Sequence, residues 1–138
     1  MSAHPRKVAR PTRSPTQARG HSGEQVAASY LELLGFRIRK RNWRCRSGEI
    51  DLICEEGDCL VFTEVKLRAS LEHGQPAEAV TYGKQARIIR AAALYAVTHG
   101  LEERTMRFDI VEVVVTPASG PRCRLMRSAF TPQGYSVL

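Results

Sequence analysis

The sequence predicts an α/β domain in which one helix is followed by three strands, a second helix and a further strand around a mixed central sheet. Three observations predict it. An apolar stripe at helical spacing runs into Gly35. Two apolar runs, 49–54 and 60–67, are separated by a polar turn containing glycine. An alanine-rich, proline-free stretch then precedes a Val- and Ile-rich run at 106–115. At 138 residues the chain fits one domain able to bury its own core.

Each element has its own justification. Ser22-Gly23-Glu24-Gln25 has the form of a capping box, with Ser22 as N-cap and Gln25 three residues later. Ala27, Tyr30, Leu31 and Leu34 follow on one helical face, and Gly35 is placed to end the helix in a left-handed cap. In the first strand, Phe36 to Asn42, Phe36, Ile38 and Lys40 alternate with Arg37, Arg39 and Arg41. Glu49–Cys54 and Leu60–Leu67 are the second and third strands, joined by the hairpin turn Glu55-Glu56-Gly57-Asp58. Ala77 to His99 reads as a long helix, with Gly83 a weak point and Gly100 its stop. Met106–Val115 is a strong strand, and Arg122–Phe130 is placed to pair with it as an extra one.

The formal charge is +7. Five basic residues and no acid lie in residues 1–20, leaving 16 basic residues against 14 acids in the remainder. With Pro5, Pro11 and Pro15 and few large apolar residues, 1–20 reads as a disordered basic arm. The domain then spans 21–130, and 131–138 forms a loose tail. No apolar run approaches the ~18–20 residues of a membrane span, and no apolar signal segment opens the chain. Cys45, Cys54, Cys59 and Cys123 lack the paired spacing of a zinc site. Free thiols in a reducing cytoplasm are the expectation. Basicity points to a polyanionic partner, nucleic acid above all.

A second basic cluster, 37–46, contains six basic residues, no acid and the only tryptophan, Trp43. Arg39, Arg41, Trp43 and Arg44 are its candidate nucleic-acid contacts, with Trp43 stacking a base. The competing reading is an edge strand whose cations discourage pairing with other chains.

The chemistry concentrates in three residues. Side chains two apart on a strand share a face, so Glu49 accompanies Asp51, and Glu64 accompanies Lys66 beside Leu60 and Phe62. The hairpin brings Asp51 and Glu64 together. Two close carboxylates repel unless a cation intervenes, and Mg²⁺ or Mn²⁺ suits such a site. Lys66 is placed to orient or deprotonate a water, or to offset charge in a transition state. These are the parts of metal-assisted phosphodiester hydrolysis. The alternative is an internal salt bridge without a substrate.

Four motifs carry a family resemblance: Gly23-Glu24-x-x-Ala27, Gly48-Glu49-Ile50-Asp51-Leu52-Ile53, Phe62-x-Glu64-Val65-Lys66-x-Arg68 and Arg107-Phe108-Asp109. Together they resemble the YraN family of uncharacterised bacterial proteins. That family is predicted to comprise endonucleases with the restriction-endonuclease-like core, similar to archaeal Holliday-junction resolvases. The resemblance implies that Asp51 and Glu64 are metal ligands, Lys66 the catalytic lysine and Glu24 the acid completing the metal site. Ile50 stands where the superfamily has proline, as in YraN proteins, and Thr63 where the family commonly has valine.

Other residues keep two readings. Glu24 near a helix start is also favoured by the helix dipole. Glu49 is as well suited to an arginine or lysine partner as to ligation. Lys84 shares a helix face with Ala77, Val80, Ile88, Ala91 and Tyr95, so it snorkels to the surface or reaches a charged site and its phosphate. Arg68 is a further candidate phosphate contact. Asp109 reads as structural, paired with a neighbour such as Arg107; His21, His73 and His99 carry no expected role. The expected function is an endonuclease acting on DNA, structure-selective or non-specific, with a catalytically silent nucleic-acid-binding module as alternative. A protein-interaction adaptor is a more distant third reading. Junction cleavage would require a homodimer to set two sites in two-fold symmetry.

Overall fold

The computed structural model describes residues 15–68 and 80–132, with side chains from Gly23 onward. Residues 1–14 of the expected arm, His73, Ala77 and residues 133–138 of the expected tail lie outside the described residues, as do the side chains of His21 and Ser22. The elements are α1 (Pro15–Leu33), β1 (Arg37–Cys45), β2 (Gly48–Glu56), β3 (Cys59–Arg68), α2 (Tyr82–Thr98), β4 (Met106–Thr116) and β5 (Gly120–Phe130). The strands form one mixed sheet in the order β1-β2-β3-β4-β5. Only β3 and β4 are parallel, as the α2 crossover between them requires; the other neighbours are antiparallel. This α/β architecture, with Arg122–Phe130 joined as a fifth strand, is consistent with a restriction-endonuclease-like core.

Both helix starts differ from expectation. α1 begins at Pro15 rather than after Ser22, so residues 15–20 belong to the helix and not to the arm. Proline fits a first helical turn because its missing N–H would have no partner there. α2 begins at Tyr82 rather than Ala77, because the Thr81 hydroxyl caps it, accepting from the Lys84 N–H at 3.2 Å. Both ends follow the glycines. At α1, Phe36 N–H reaches Leu31 O at 2.9 Å and Gly35 N–H reaches Glu32 O at 3.0 Å, with Gly35 at φ 95°. That is a Schellman cap, and Leu101 with Gly100 at φ 66° repeats it after α2.

Alternate β3 side chains build two cores on opposite sheet faces. Ala27, Ala28 and Leu31 of α1 pack on Leu52, Cys54, Val61, Val111 and Val113. Ile88, Ala91, Ala92 and Tyr95 of α2 pack on Ile50, Ile53, Leu60, Phe62, Phe108 and Ile110. The expected α1 stripe is rotated: Ala28 is buried, whereas Leu34 lies past the helix end and is exposed. β1 also departs from simple alternation, because its register on β2 shifts between Ile38 and Lys40.

Beside the β2–β3 turn Glu55 and Glu56 are matched by arginines. Glu55 pairs with Arg37, with Arg39 at 2.7 Å and with Arg104 at 3.4 Å. The Arg37 and Arg39 guanidinium groups lower its pKa to about 2 against the cost of burial. Glu56 takes Arg107 and Arg127, each at 2.8 Å. Fully buried Asp109 accepts from Arg107 Nε at 2.8 Å, Arg107 Nη2 at 2.9 Å and the Ser128 N–H at 3.0 Å. The Ser128 contact secures β5 where its register on β4 shifts. Asp109→Ala is therefore expected to destabilise the chain by about 2–4 kcal/mol in urea unfolding, since it leaves Arg107 with Glu56 alone and strands the Ser128 backbone donor. A loss below about 1 kcal/mol would remove Asp109 from this structural role.

Candidate functional site

At the opposite end of the β2–β3 hairpin the two strands part. Their paired positions run from Glu56–Cys59 to Leu52–Thr63 and stop there. Beyond them the Asp51 Oδ2 accepts the Val65 N–H at 2.9 Å, a side chain standing in for a ladder carbonyl. The backbone facing also changes at this point. Ile50 lies in the α2-side core and Leu52 in the α1-side core, although residues two apart ordinarily share a face. Asn42 falls opposite Asp51 in the β1–β2 register and has φ 50°, a left-handed backbone that asparagine tolerates better than most residues. The parting of the strands opens a place for side chains from three strands and both helices.

Asp51, Glu64 and Lys66 meet there. The Asp51 N–H lies 3.3 Å from Glu64 Oε2, and Glu64 is only 2% exposed. Burial first, then the Asp51 charge and a hydrogen bond between the two carboxyl groups, push Glu64 well above the usual carboxylate range. Lys84 reaches in from α2 with Nζ 3.6 Å from Glu64 Oε1, so it joins the charged site rather than snorkelling to the surface. Burial, and then the neighbouring Lys84 ammonium, lower the pKa of half-buried Lys66. Glu24 borders the group from α1: burial and the Asp51 charge raise its pKa, and a hydrogen bond from Asn42 partly offsets them.

Other expected contacts are divided. Arg41 Nη1 donates to Gln25 at 2.5 Å, exposed Arg44 pairs with Glu49 at 3.5 Å, and Arg39 turns toward Tyr95 and Glu55. Trp43 is half-buried and meets Tyr95 edge-on, with ring centroids 5.3 Å apart. Arg68 pairs at 2.8 Å with Glu112, a buried acid of β4 in register beside Lys66. Sequence reasoning missed Glu112 and Asn42. A carboxylate inside the run Ile110–Val115 demands a cationic partner, and an asparagine within a strand pattern hints at irregular backbone.

Among the described residues, no three acid, histidine or cysteine side chains close around one point. Asp51 and Glu64 instead form a pair, with Glu24 in electrostatic reach of Asp51. Two close carboxylates whose joint ionisation is penalised fit a hard divalent ion that fills the rest of its shell with water and substrate oxygen. The four cysteines are free thiols. No helix among the described residues is long and apolar enough to cross a membrane.

The raised Glu64 pKa has a stability consequence. A carboxyl whose folded pKa exceeds its unfolded value of about 4.5 destabilises the folded chain increasingly as pH rises through the folded value. In metal-free buffer, Glu64→Gln should therefore melt several degrees above wild type at pH 8, and the two should converge below about pH 4. A wild type more stable than the variant at pH 8 would contradict this.

Comparison with known proteins supplies the relationship. Residues 23–113 match the model of "Uncharacterised protein family UPF0102". That match includes Glu24, Asp51, Glu64, Lys66 and Lys84. The chain is 51% identical over 111 residues to a UPF0102 protein of Symbiobacterium thermophilum, covering 80% of this chain and 94% of the relative. It is 46% identical over 113 residues to one of Rhodococcus jostii, covering 82% and 96%. A Myxococcus xanthus relative is 42% identical over 95 residues, covering 69% and 75%. The four sequence motifs, the α/β sheet and these matches agree, and the chain belongs to the UPF0102 family, the YraN proteins.

Proposed function

We propose that the chain is a divalent-cation-dependent endonuclease that binds DNA in the cytoplasm and hydrolyses its phosphodiester bonds. The observation that supports this reading is the contact of half-buried Asp51 with buried Glu64, flanked by two lysines where β2 and β3 part. Asp51 and Glu64 would hold Mg²⁺ or Mn²⁺, which when bound would polarise a phosphoryl oxygen and a water. Lys66, its neutral form favoured by burial and by Lys84, accepts a proton from the attacking water. Lys84 turns from Glu64 toward the phosphate and offsets its developing charge. Glu24 would complete the metal site from α1 beside Asp51, hydrogen-bonded by Asn42.

A second reading, a nucleic-acid-binding module without turnover, draws on a different feature. Lys84 and the hydrogen bond between the carboxyl groups already relieve the Asp51–Glu64 charge without an ion. One assay separates the readings. Purified full-length protein is incubated with single-stranded, duplex, flap and four-way DNA, with and without Mg²⁺ or Mn²⁺. The hydrolase reading predicts metal-dependent cleavage that Asp51→Ala, Glu64→Ala and Lys66→Ala each reduce about 100-fold or more, while DNA binding survives. Binding without cleavage on every substrate favours the module. Cleavage that persists in all three variants would misplace the site.

A further inference from the structure

The α2 face of the sheet carries a second concavity, toward the β1 edge. It has a volume of about 460 Å³, within the ~300–1,000 Å³ of small-molecule sites, and is lined by Arg39, Lys40, Trp43, Tyr95 and His99. Three rings and two cations share one wall. In a regular strand, adjacent Arg39 and Lys40 would face opposite sides; the register shift between Ile38 and Lys40 lets both border the cavity.

The wall is preorganised. Tyr95 meets Phe62 and Trp43 edge-on, at centroid distances of 6.0 and 5.3 Å, and stacks on His99 at 4.0 Å. His99 Nδ1 donates to the Tyr95 carbonyl at 2.8 Å, which fixes its ring at the end of α2. Arg39 Nε donates to the Tyr95 hydroxyl at 3.0 Å and Nη1 to Glu55 at 2.7 Å, so the guanidinium is held without extra loop ordering. Lys40 is exposed and has no ion pair among the described residues. Aromatic surface beside an unneutralised ammonium matches a planar base and its phosphate.

We infer that this cavity is a nucleotide subsite, where an unpaired base packs against Trp43 and His99 and its phosphate meets Lys40 and Arg39. The inference rests on nucleic acid being the substrate class, and it adds a place for strand outside the reacting bond. Lys84 and Tyr95 lie eleven residues apart on α2, about 16 Å along its axis, so a few nucleotides separate the two sites.

Trp43 is the only tryptophan, so its emission reports this cavity alone. In metal-free buffer, the full chain is titrated with an oligothymidylate eight-mer, with thymidine monophosphate and with inorganic phosphate, and labelled eight-mer anisotropy is followed in parallel. The eight-mer is expected to quench Trp43 saturably, and Lys40→Ala and His99→Asn to weaken its anisotropy-measured Kd about five- to tenfold each. Quenching by the eight-mer but not the monophosphate identifies a base carried in a strand; quenching by both admits free nucleotide as well. Inorganic phosphate matching the nucleotides, or unchanged Kd in both variants without quenching, would overturn the subsite. Cleavage without quenching refutes the subsite alone, whereas quenching without cleavage on any DNA refutes only the hydrolase.

Discussion

The contact between Asp51 and Glu64 is the constraint around which this molecule is arranged. It exists because the β2–β3 ladder stops at Leu52–Thr63, leaving the Asp51 carboxylate to satisfy Val65 and the Glu64 carboxylate inside a nearly dry cleft. Its neighbours differ in how they respond. Lys84 leans in from α2 toward Glu64, burial and then the Asp51 charge raise Glu24, and burial with Lys84 lowers Lys66 against the pull of the two acids. A buried carboxyl raised in pKa beside a second carboxyl lowers stability, a cost that functional sites often carry.

The two ends of the same hairpin show the contrast. At the turn, Glu55 and Glu56 are each engaged by guanidinium groups and lowered in pKa as a result. Bidentate, permanently charged arginine suits a fixed ion pair. At the open end Arg68 holds Glu112, but the cations beside Asp51 and Glu64 are lysines, point charges on flexible stems whose pKa responds to burial. Glu64 there is raised instead of lowered. Acids saturated by arginine hold the sheet together, and acids left to lysine are available to a substrate or an ion.

The parts legible in the sequence were those governed by local pattern. Gly35 and Gly100 stop their helices, the Glu55–Asp58 turn joins two strands, and the pairing they impose brings Asp51 to Glu64. What escaped was set by single backbone irregularities or distant partners. The shift near Arg39 and the left-handed Asn42 redirect β1 side chains that simple alternation would place elsewhere. Lys84 was readable as an oddity within an apolar stripe, but only packing of α2 on the sheet decides where its ammonium goes. Glu112 gave no sign of Arg68 as its partner, because β3 and β4 are joined across a long crossover.

Ion binding gives the most direct measure of whether the Asp51–Glu64 pair is a cation site. Mn²⁺ titrated into the full chain and followed by electron paramagnetic resonance should show a tight ion that Asp51→Asn and Glu64→Gln each weaken at least about tenfold, with Glu55→Gln, at the arginine-saturated end, leaving it unchanged. Equal Mn²⁺ binding by wild type, Asp51→Asn and Glu64→Gln would contradict the account.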